Sequence, residues 1–193
     1  MRLYLVLGLF AVANPIFEHQ AEQPIRTTIC AIKSSPSVFN GRLVEVSGYA
    51  THGADNSMFE DPTCFWSKDN PGIWMEYGGT TGIEKTKSNA GAVDPKIVVV
   101  QGVGVVLNHN ATFDQFDKLL HSVPGKDISV KATVRARFFV TPEMVEGKLN
   151  AGKGYGRKGC CMLFAIEQVT ALESTAAEPS IFDLARTYAP HKP

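Results

Sequence analysis

The sequence lacks an excess of charge of either sign. Its 193 residues include 19 lysines and arginines and 19 aspartates and glutamates, so the formal net charge at pH 7 is zero. A protein that binds polyanions over its whole surface has a clear basic excess, and this composition excludes that class. Apolar residues make up 44% of the chain, which is typical of a globular protein rather than a disordered one.

Motifs that would identify a reaction are also missing. There is no Gly-x-Ser-x-Gly elbow that would present a nucleophilic serine. Residues 147–154 read GKLNAGKG, with the spacing and lysine of a phosphate-binding loop, but glycine stands where Mg²⁺ needs a serine or threonine hydroxyl. No cysteine or histidine pair has zinc-knuckle spacing, and no Cys-x-x-Cys is present. We therefore predict no catalytic residue, no metal and no cofactor.

The apolar run at the N-terminus is too short to cross a bilayer, which needs about 20 apolar residues. Arg2 precedes the run at residues 3–10, and Ala11 and Ala13 follow with small-residue spacing. These are the parts of a secretory signal peptide; a buried strand or helix is the alternative. We expect residues 1–21 to be a signal peptide and short linker, cleaved after Ala13 or Ala21. The mature protein is then exported, to the periplasm or beyond, without a transmembrane anchor.

Cysteine is scarce, with four residues at positions 30, 64, 160 and 161. An even number of cysteines in an oxidising compartment favours disulfides. Of the three possible pairings, one joins the adjacent Cys160 and Cys161 in an eight-membered ring. We expect instead that Cys30 and Cys64 each bond to one of the adjacent pair, because neighbouring residues on a strand point to opposite faces.

Two helices are predicted. Thr27 or Thr28 can cap a short N-terminal helix. An amphipathic helix is expected at about 112–121, where Thr112 and Gln115 form a capping box.

The remaining pattern is mostly that of strands. Segments with strand composition and turn residues at their ends lie at 44–49, 57–60, 73–77, 97–107, 128–137 and about 160–169. The run at 97–107 is apolar at both parities, which predicts one long strand covered on both faces. Residues 79–95 are polar and predict a loop, and 147–159 predict a basic hairpin loop.

The segment SPSVFNGRLVEVSGYA resembles the first strand of OB-fold domains, where an N-G-K/R-x-V-x-V-x-G pattern is common. The position of the second helix, ahead of the last two strands, is also similar to the OB arrangement. The resemblance implies a mainly β (α+β) fold, a small OB-fold-like antiparallel barrel over residues 27–172 with an extension at 173–193. TICAIKSSPSVFNGRLVEVSGY together with KGCCMLFAIEQV also resembles a group of uncharacterised exported bacterial proteins, over residues 28–170, which implies no activity.

Two sets of side chains are candidate ligand-binding residues. They are the aromatic residues around the first three strands and the outward basic row of a later strand: Tyr49, Phe65, Trp66, Trp74, Tyr77, Lys131, Arg135 and Arg137. Aromatic faces stack ligands in OB folds, while core packing and a solvated strand face are the alternatives. We expect an exported, non-enzymatic binding or structural module. Export disfavours nucleic acid and favours a glycan, a peptide or an envelope protein.

Two other functions stay open at this level. A hydrolase-type enzyme would use a His/carboxylate cluster near the first three strands, drawn from His52, Asp55, Glu60, Asp61 and Glu76. An envelope interaction protein would dock through residues 79–95 and the C-terminal tail. A recognition role for the loop cations Lys153, Arg157 and Lys158 is a secondary hypothesis.

Overall fold

The structure of the protein is a computed structural model, which describes part of the chain. That part comprises residues 22–53, 57–64, 72–77, 97–123, 126–145, 152–174, 176 and 178–180. Several predicted features lie outside these residues: the signal segment 1–21, the loop 79–95, part of the basic loop, the tail from 181, and the candidate residues Asp55, Phe65 and Trp66.

The described elements are mainly short strands. In chain order they are β1 (Ile25–Arg26), α1 (Ile29–Ser34), α2 (Pro36–Phe39), β2 (Leu43–His52), β3 (Ser57–Glu60), a 3-10 turn (Pro62–Cys64), β4 (Ile73–Glu76), β5 (Ile97–Val100), β6 (Val103–Val106), α3 (Ala111–Leu120), β7 (Ile128–Phe139), α4 (Pro142–Val145), a second 3-10 turn (Arg157–Gly159), β8 (Met162–Leu172) and β9 (Glu178–Pro179). No helix among these residues is long and apolar enough to cross a membrane.

Five strands close into a barrel, which confirms the predicted mainly β barrel fold. The order is β2-β3-β4-β8-β7, and β7 pairs back with β2 along the whole length of β2. Four of the pairings are antiparallel, whereas β4 and β8 run parallel, from Ile73 opposite Met162 to Glu76 opposite Ala165. The sequence led us to expect a wholly antiparallel barrel. The parallel pair of β4 and β8 corrects that expectation.

The barrel interior is filled by alternate residues of each strand, as a period of two requires. On β7 the alternate residues Ile128, Val130, Ala132, Val134 and Ala136 are buried, and Ser129 on the opposite parity is buried too. On β2 the interior position Gly48 leaves room for the side chain of Ile29 from α1. A Cβ at Gly48 would lie 2.4 Å from the Ile29 Cδ1 and 2.8 Å from a ring carbon of Phe59. The helix α1 therefore contributes directly to the core.

Both predicted helices form, and one cap differs from the prediction. The Thr28 hydroxyl accepts a hydrogen bond from the Ala31 amide at 3.1 Å and caps α1. The cap of α3 is Asn110, whose Oδ1 accepts from the Phe113 amide at 2.8 Å. The predicted capping box at Thr112 is therefore wrong by two positions. Asparagine caps a helix as well as threonine does, so residue type alone did not decide between them.

The predicted long strand at 97–107 is wrong, because the segment folds as the hairpin β5–β6. Its turn residues Gln101 and Gly102 both have positive φ, +50° and +79°, as a two-residue hairpin turn requires. One face of the hairpin packs on the outer face of the barrel, where Val100 and Val105 join a buried cluster with Phe139, Leu163 and Ala165 of β7 and β8. Apolar residues at both odd and even positions of this segment are therefore explained by two short strands that pack on the barrel sheet.

Candidate functional site

The four cysteines form two disulfides, but not the pairing that the sequence suggested. Cys30 bonds to Cys64 across 34 residues with their Cα atoms 5.4 Å apart, and Cys160 bonds to its neighbour Cys161. The α1 helix places Cys30 directly beside the 3-10 turn that carries Cys64. Cys160 lies before β8, with φ −76° and ψ −25°, so the alternation of a strand does not apply to the pair.

Residues 152–161, which we call the β8 loop, form a compact structure ahead of β8. Tyr155 and Cys161 exchange two backbone hydrogen bonds, at 2.7 and 3.1 Å, and the Gly154 amide donates to the Gly159 carbonyl at 3.0 Å. Together with the bond between Cys160 and Cys161, these contacts fix the loop at its C-terminal end. The predicted basic loop is thus ordered in this half.

The β8 loop rests on Trp74, on the outer face of β4. The backbone of Gly156 passes so close to the indole that a Cβ there would lie 2.4 Å from the ring, and φ of Gly156 is +71°. The Trp74 Nε1 donates a hydrogen bond to the Glu76 Oε1 at 2.8 Å. Trp74 stays partly exposed and packs beside Val98, Val103 and Tyr155. Position 156 therefore requires a glycine for two reasons: its φ is positive, and a side chain there would overlap the indole of Trp74.

Hydrogen bonds from Gln101 tie the β8 loop to the hairpin. The Gln101 Nε2 donates to the Tyr155 hydroxyl at 2.9 Å and to the Val140 carbonyl at 3.1 Å. The Asn40 Oδ1 accepts a hydrogen bond from the Val140 amide at 2.9 Å, and the Asn40 Nδ2 donates to the Gln101 Oε1 at 3.4 Å. Tyr155 is therefore oriented by its neighbours.

Three cations project from the β8 loop: Lys153, Arg157 and Lys158 are all exposed. Within the described part of the chain, neither Lys153 nor Lys158 has a carboxylate oxygen within 4.0 Å. Lys158 holds φ at +59°, a conformation that costs a non-glycine residue about 1–2 kcal/mol. Lys153 and Lys158 thus lie without a carboxylate partner among the described residues, on a loop fixed by a disulfide and backbone hydrogen bonds.

The basic row predicted on β7 differs from this loop, because all of its cations are paired. Lys131 lies 2.8 Å from Glu173, Arg135 lies 2.9 Å from Glu45, and Arg137 contacts Glu22 at 2.8 Å and Glu167 at 3.1 Å. The hydrogen bonds from Arg137 and Arg135 hold the pKa values of Glu22 and Glu45, respectively, below the usual range.

The predicted cationic edge is therefore neutralised by glutamates, and its role in ligand binding stays a prediction. The strand pairing of β2 with β7 puts glutamate opposite arginine, as at Glu45 and Arg135. Opposite charges at such cross-strand positions stabilise a sheet, so this row has a structural explanation.

The predicted aromatic residues do not share one surface. Tyr49 is half-buried and pairs with Lys131 on β7, and Trp74 lies under the β8 loop. Tyr77 lies in the core with only 7% of its surface exposed, its ring 5.8 and 5.9 Å from those of Phe113 and Phe116. Its assignment to a ligand-binding face is therefore corrected, because the ring contributes to packing under α3.

The residues proposed for hydrolysis are not brought together either. In the β2–β3 ladder His52 lies opposite Ser57, while Glu60 lies opposite Tyr49. Ser57 and Glu60 are three residues apart, about 10 Å along a strand. Glu60 turns instead to Lys33 of α1, and Glu76 accepts from Trp74. Glu60 and Glu76 thus have separate structural partners, and Asp55 lies outside the described residues, so the hydrolase hypothesis stays a prediction.

Asp61 belongs to another group, at the Cys30–Cys64 disulfide. Its Oδ1 accepts from the Thr63 amide at 2.8 Å and from the Thr63 hydroxyl at 2.7 Å. Cys30, Asp61 and Cys64 place three potential metal-ligand atoms within 4.8 Å of one another. Both sulfur atoms are engaged in the disulfide, so they are not thiolates that could bind an ion.

His52 lies in a different cluster, which sequence analysis missed. The His52 ring centroid is 4.5 Å from that of His121 at the end of α3. The His121 Nδ1 donates to the Asp117 carbonyl at 2.8 Å and lies 3.3 Å from the Asp117 Oδ1. Burial and the neighbouring His121 lower the pKa of His52, while the charges of Asp117 and Asp127 oppose the shift. The i,i+4 spacing of Asp117 and His121 was visible, but nothing in the sequence placed His52 beside them.

Comparisons of the chain with protein-family models, with curated proteins and with solved structures found no match. Function therefore has to be inferred from the chemistry of the described residues.

Proposed function

We propose that the protein is an exported, non-enzymatic binding module of the OB-fold type, and that it binds an acidic glycan on the β8 loop. OB folds are five-stranded barrels that bind ligands at strands two and three and at the loops between strands one and two and strands four and five. If β2, β3, β4, β7 and β8 are numbered one to five, Trp74 lies on strand three. The β8 loop is then part of the connection between strands four and five.

Export is supported by the cysteines and by the signal-like N-terminus. Two disulfides within the described residues are typical of an oxidising compartment. In such a compartment a glycan or an envelope component is a more accessible ligand than nucleic acid.

The observation that carries the proposal is the contrast between two sets of cations. Those on β7 are neutralised by glutamates. Lys153 and Lys158 instead have no carboxylate partner in the described part of the chain, and they project from a loop fixed by a disulfide and by its packing on Trp74. A pre-organised loop loses little conformational entropy on binding. Fixed, exposed positive charge is what recognition of an anionic group needs.

The neighbouring aromatic residues favour a sugar over a simple anion. Tyr155 belongs to the loop and Trp74 lies under it, both partly buried, and such rings offer an apolar face with a polar tip. Carboxylates of a uronic acid would pair with the two ammonium groups, while the apolar side of the sugar ring packs on the aromatic residues. Because the net charge of the chain is zero, the attraction is local and is screened by salt.

Calorimetric titration with a short oligogalacturonate tests this proposal. The wild-type protein should bind, and the Lys153→Ala/Lys158→Ala variant should bind about tenfold more weakly or worse, since each ammonium contributes on the order of 0.5–1.5 kcal/mol. Lys118→Ala is the matched control, because Lys118 is an exposed lysine on α3, and it should bind as the wild type does.

A glutamate oligopeptide of equal charge distinguishes glycan from general acidity. Weaker binding of the peptide supports recognition of the sugar. Equal affinity for both oligomers, or equal effects of the Lys118 and Lys153/Lys158 substitutions, would contradict the proposal.

A further inference from the structure

Five polar side chains from four segments meet where α3 covers the barrel. We call them the histidine cluster: His52 at the end of β2, Tyr77 after β4, Asp117 and His121 of α3, and Asp127 before β7. The two imidazole centroids are 4.5 Å apart. The His121 Nδ1 donates to the Asp117 carbonyl at 2.8 Å and lies 3.3 Å from the Asp117 Oδ1, which leaves the Nε2 of His121 as its ligand atom. Gly53 makes room for Asp127, since a Cβ at position 53 would overlap its carboxylate at 1.6 Å.

Two buried polar atoms of the cluster have no partner among the described residues. They are the Nδ1 of His52 and the hydroxyl of Tyr77. Tyr77 is only 7% exposed, and its environment raises the pKa of its hydroxyl, through burial first and then through the charges of Asp117 and Glu76. That hydroxyl therefore stays protonated and able to donate a hydrogen bond, with the Asp117 charge in its surroundings. Buried polar groups are nearly always hydrogen-bonded, and an orphan indicates a water, an ion or a functional role.

We propose that His52, His121 and Asp117 bind a divalent transition-metal ion, with Asp127 as a further carboxylate beside it. Two imidazoles and a carboxylate are a common donor set for zinc in proteins and suit copper and nickel as well. In this arrangement the Nδ1 of His52 gains a metal bond, and the hydroxyl of Tyr77 donates a hydrogen bond to a coordinating Asp117 oxygen. Such outer hydrogen bonds orient ligands around metals.

In the structure the ligand atoms are not closed around an ion: within the described chain, three such atoms come within 4.8 Å of one another only at Cys30, Asp61 and Cys64. Metal binding therefore includes rotation of the imidazoles.

Titration of the disulfide-intact, tag-free protein with Zn²⁺ after removal of bound metals tests the site. The expected result is saturable binding of one ion with a rise in Tm, because an ion that binds only the folded state stabilises it. His52→Gln, His121→Gln and Asp117→Asn should each weaken zinc binding by at least about tenfold. His109→Gln is the matched control, since His109 is exposed, pairs with Asp114 and lies outside the cluster, and its affinity should be unchanged.

Histidine side-chain NMR with Zn²⁺ on the wild-type protein keeps the test decisive if a variant fails to fold. The ring nitrogens of His52 and His121 should shift on zinc addition, while those of His109 should not. Failure of the wild type to bind Zn²⁺, Ni²⁺ or Cu²⁺ saturably would overturn the proposal, as would shifts confined to other histidines. In that case water satisfies the two orphan atoms. The binding function proposed for the β8 loop is independent of either result.

Discussion

Lys33 of α1 and Glu60 at the end of β3 form an ion pair that is shut off from water, with side-chain exposures of 2% and 0%. The Lys33 Nζ also donates to the Cys64 carbonyl at 3.1 Å, and the Glu60 Oε1 accepts from the Ile73 amide at 3.1 Å. Burial raises the pKa of Glu60, and the charge and hydrogen bond of Lys33 oppose that rise. Each charge is therefore tolerated in the interior because of the other.

Removal of one partner should be much worse than removal of both. Lys33→Met leaves a buried carboxylate without its cation and should lower the free energy of unfolding by about 3–5 kcal/mol. The double variant Lys33→Met/Glu60→Leu should recover much of this loss, because no buried charge is left. Urea denaturation at neutral pH measures both.

Arg26 supplies the surface comparison for this pair. Its ion pair with Glu45 is formed by an arginine side chain that is 85% exposed, so Arg26→Met should change stability by less than about 1 kcal/mol. If Lys33→Met costs as little as Arg26→Met, the buried pair is not the strong link between α1 and the barrel that we infer.

The two disulfides should differ sharply in what they contribute. Removal of Cys30–Cys64, which closes a loop with a sequence separation of 34, should cost about 4 kcal/mol in the loop-entropy model. The Cys160–Cys161 disulfide closes almost no loop, so its removal should cost only about 1 kcal/mol in the same model. Paired cysteine-to-serine variants, compared by urea denaturation, test this difference.

Peptide mapping of the non-reduced protein checks the pairing itself. A peptide containing Cys30 should be linked to one containing Cys64, and the peptide with Cys160 and Cys161 should be lighter by two hydrogen atoms. Any link between Cys30 or Cys64 and the adjacent pair would contradict this connectivity.

Substitution of Gly156 tests how the β8 loop is held on Trp74. Gly156→Ala introduces both a left-handed alanine and a methyl group 2.4 Å from the indole. Gly152→Ala is the matched control, because φ is also positive there, +101°, but nothing lies within 4 Å of the new methyl. We expect Gly156→Ala to cost about 1–3 kcal/mol more than Gly152→Ala, the usual range for overpacking. Equal losses of stability would mean that the loop does not rest on Trp74.

Acid should weaken the fold through His52 at a higher pH than it does through Glu22 and Glu45. The pKa of His52 is lowered from its usual 6.5, so the unfolded chain binds this proton more tightly than the folded one does. The stabilisation is complete above about pH 6.5 and is lost as the pH falls from there through the lower folded-state pKa. The lowered pKa values of Glu22 and Glu45 act in a separate window, below about pH 4.5.

Urea denaturation in EDTA between about pH 7.5 and 5.5 measures this loss. His52→Gln should flatten the decline in stability, and His109→Gln should leave it as in the wild type. A decline of the same size in the His52 variant would assign the effect to another group.

Much of the barrel could be predicted from the sequence because its signals are local. The alternation along β7 and a threonine cap at residue 27 or 28 depend only on neighbouring residues. The cap is confirmed at Thr28, and the alternation holds from Val130 to Ala136. The hairpin β5–β6 was mistaken for one strand because Gln101 is not a usual residue for its turn. Its side chain bonds to Val140 and Tyr155, contacts between segments that no local pattern reveals.

The site was harder to predict for the same reason. The row at Lys131, Arg135 and Arg137 shows its charge in the sequence, but its glutamate partners come from distant segments. The cations of the β8 loop were noted only as a secondary possibility, because nothing local showed that the loop is anchored on Trp74. Long-range pairing thus decides which of two similar basic patches is available to a ligand.

Backbone NMR of the isotope-labelled protein during titration with oligogalacturonate tests the central claim most directly, because it locates the ligand without any substitution. The account predicts that the largest shifts fall on residues 152–161, together with the indole signal of Trp74. Shifts centred on the β2–β7 face around Arg135, or on α3 around Lys118, would contradict it, as would the absence of any change.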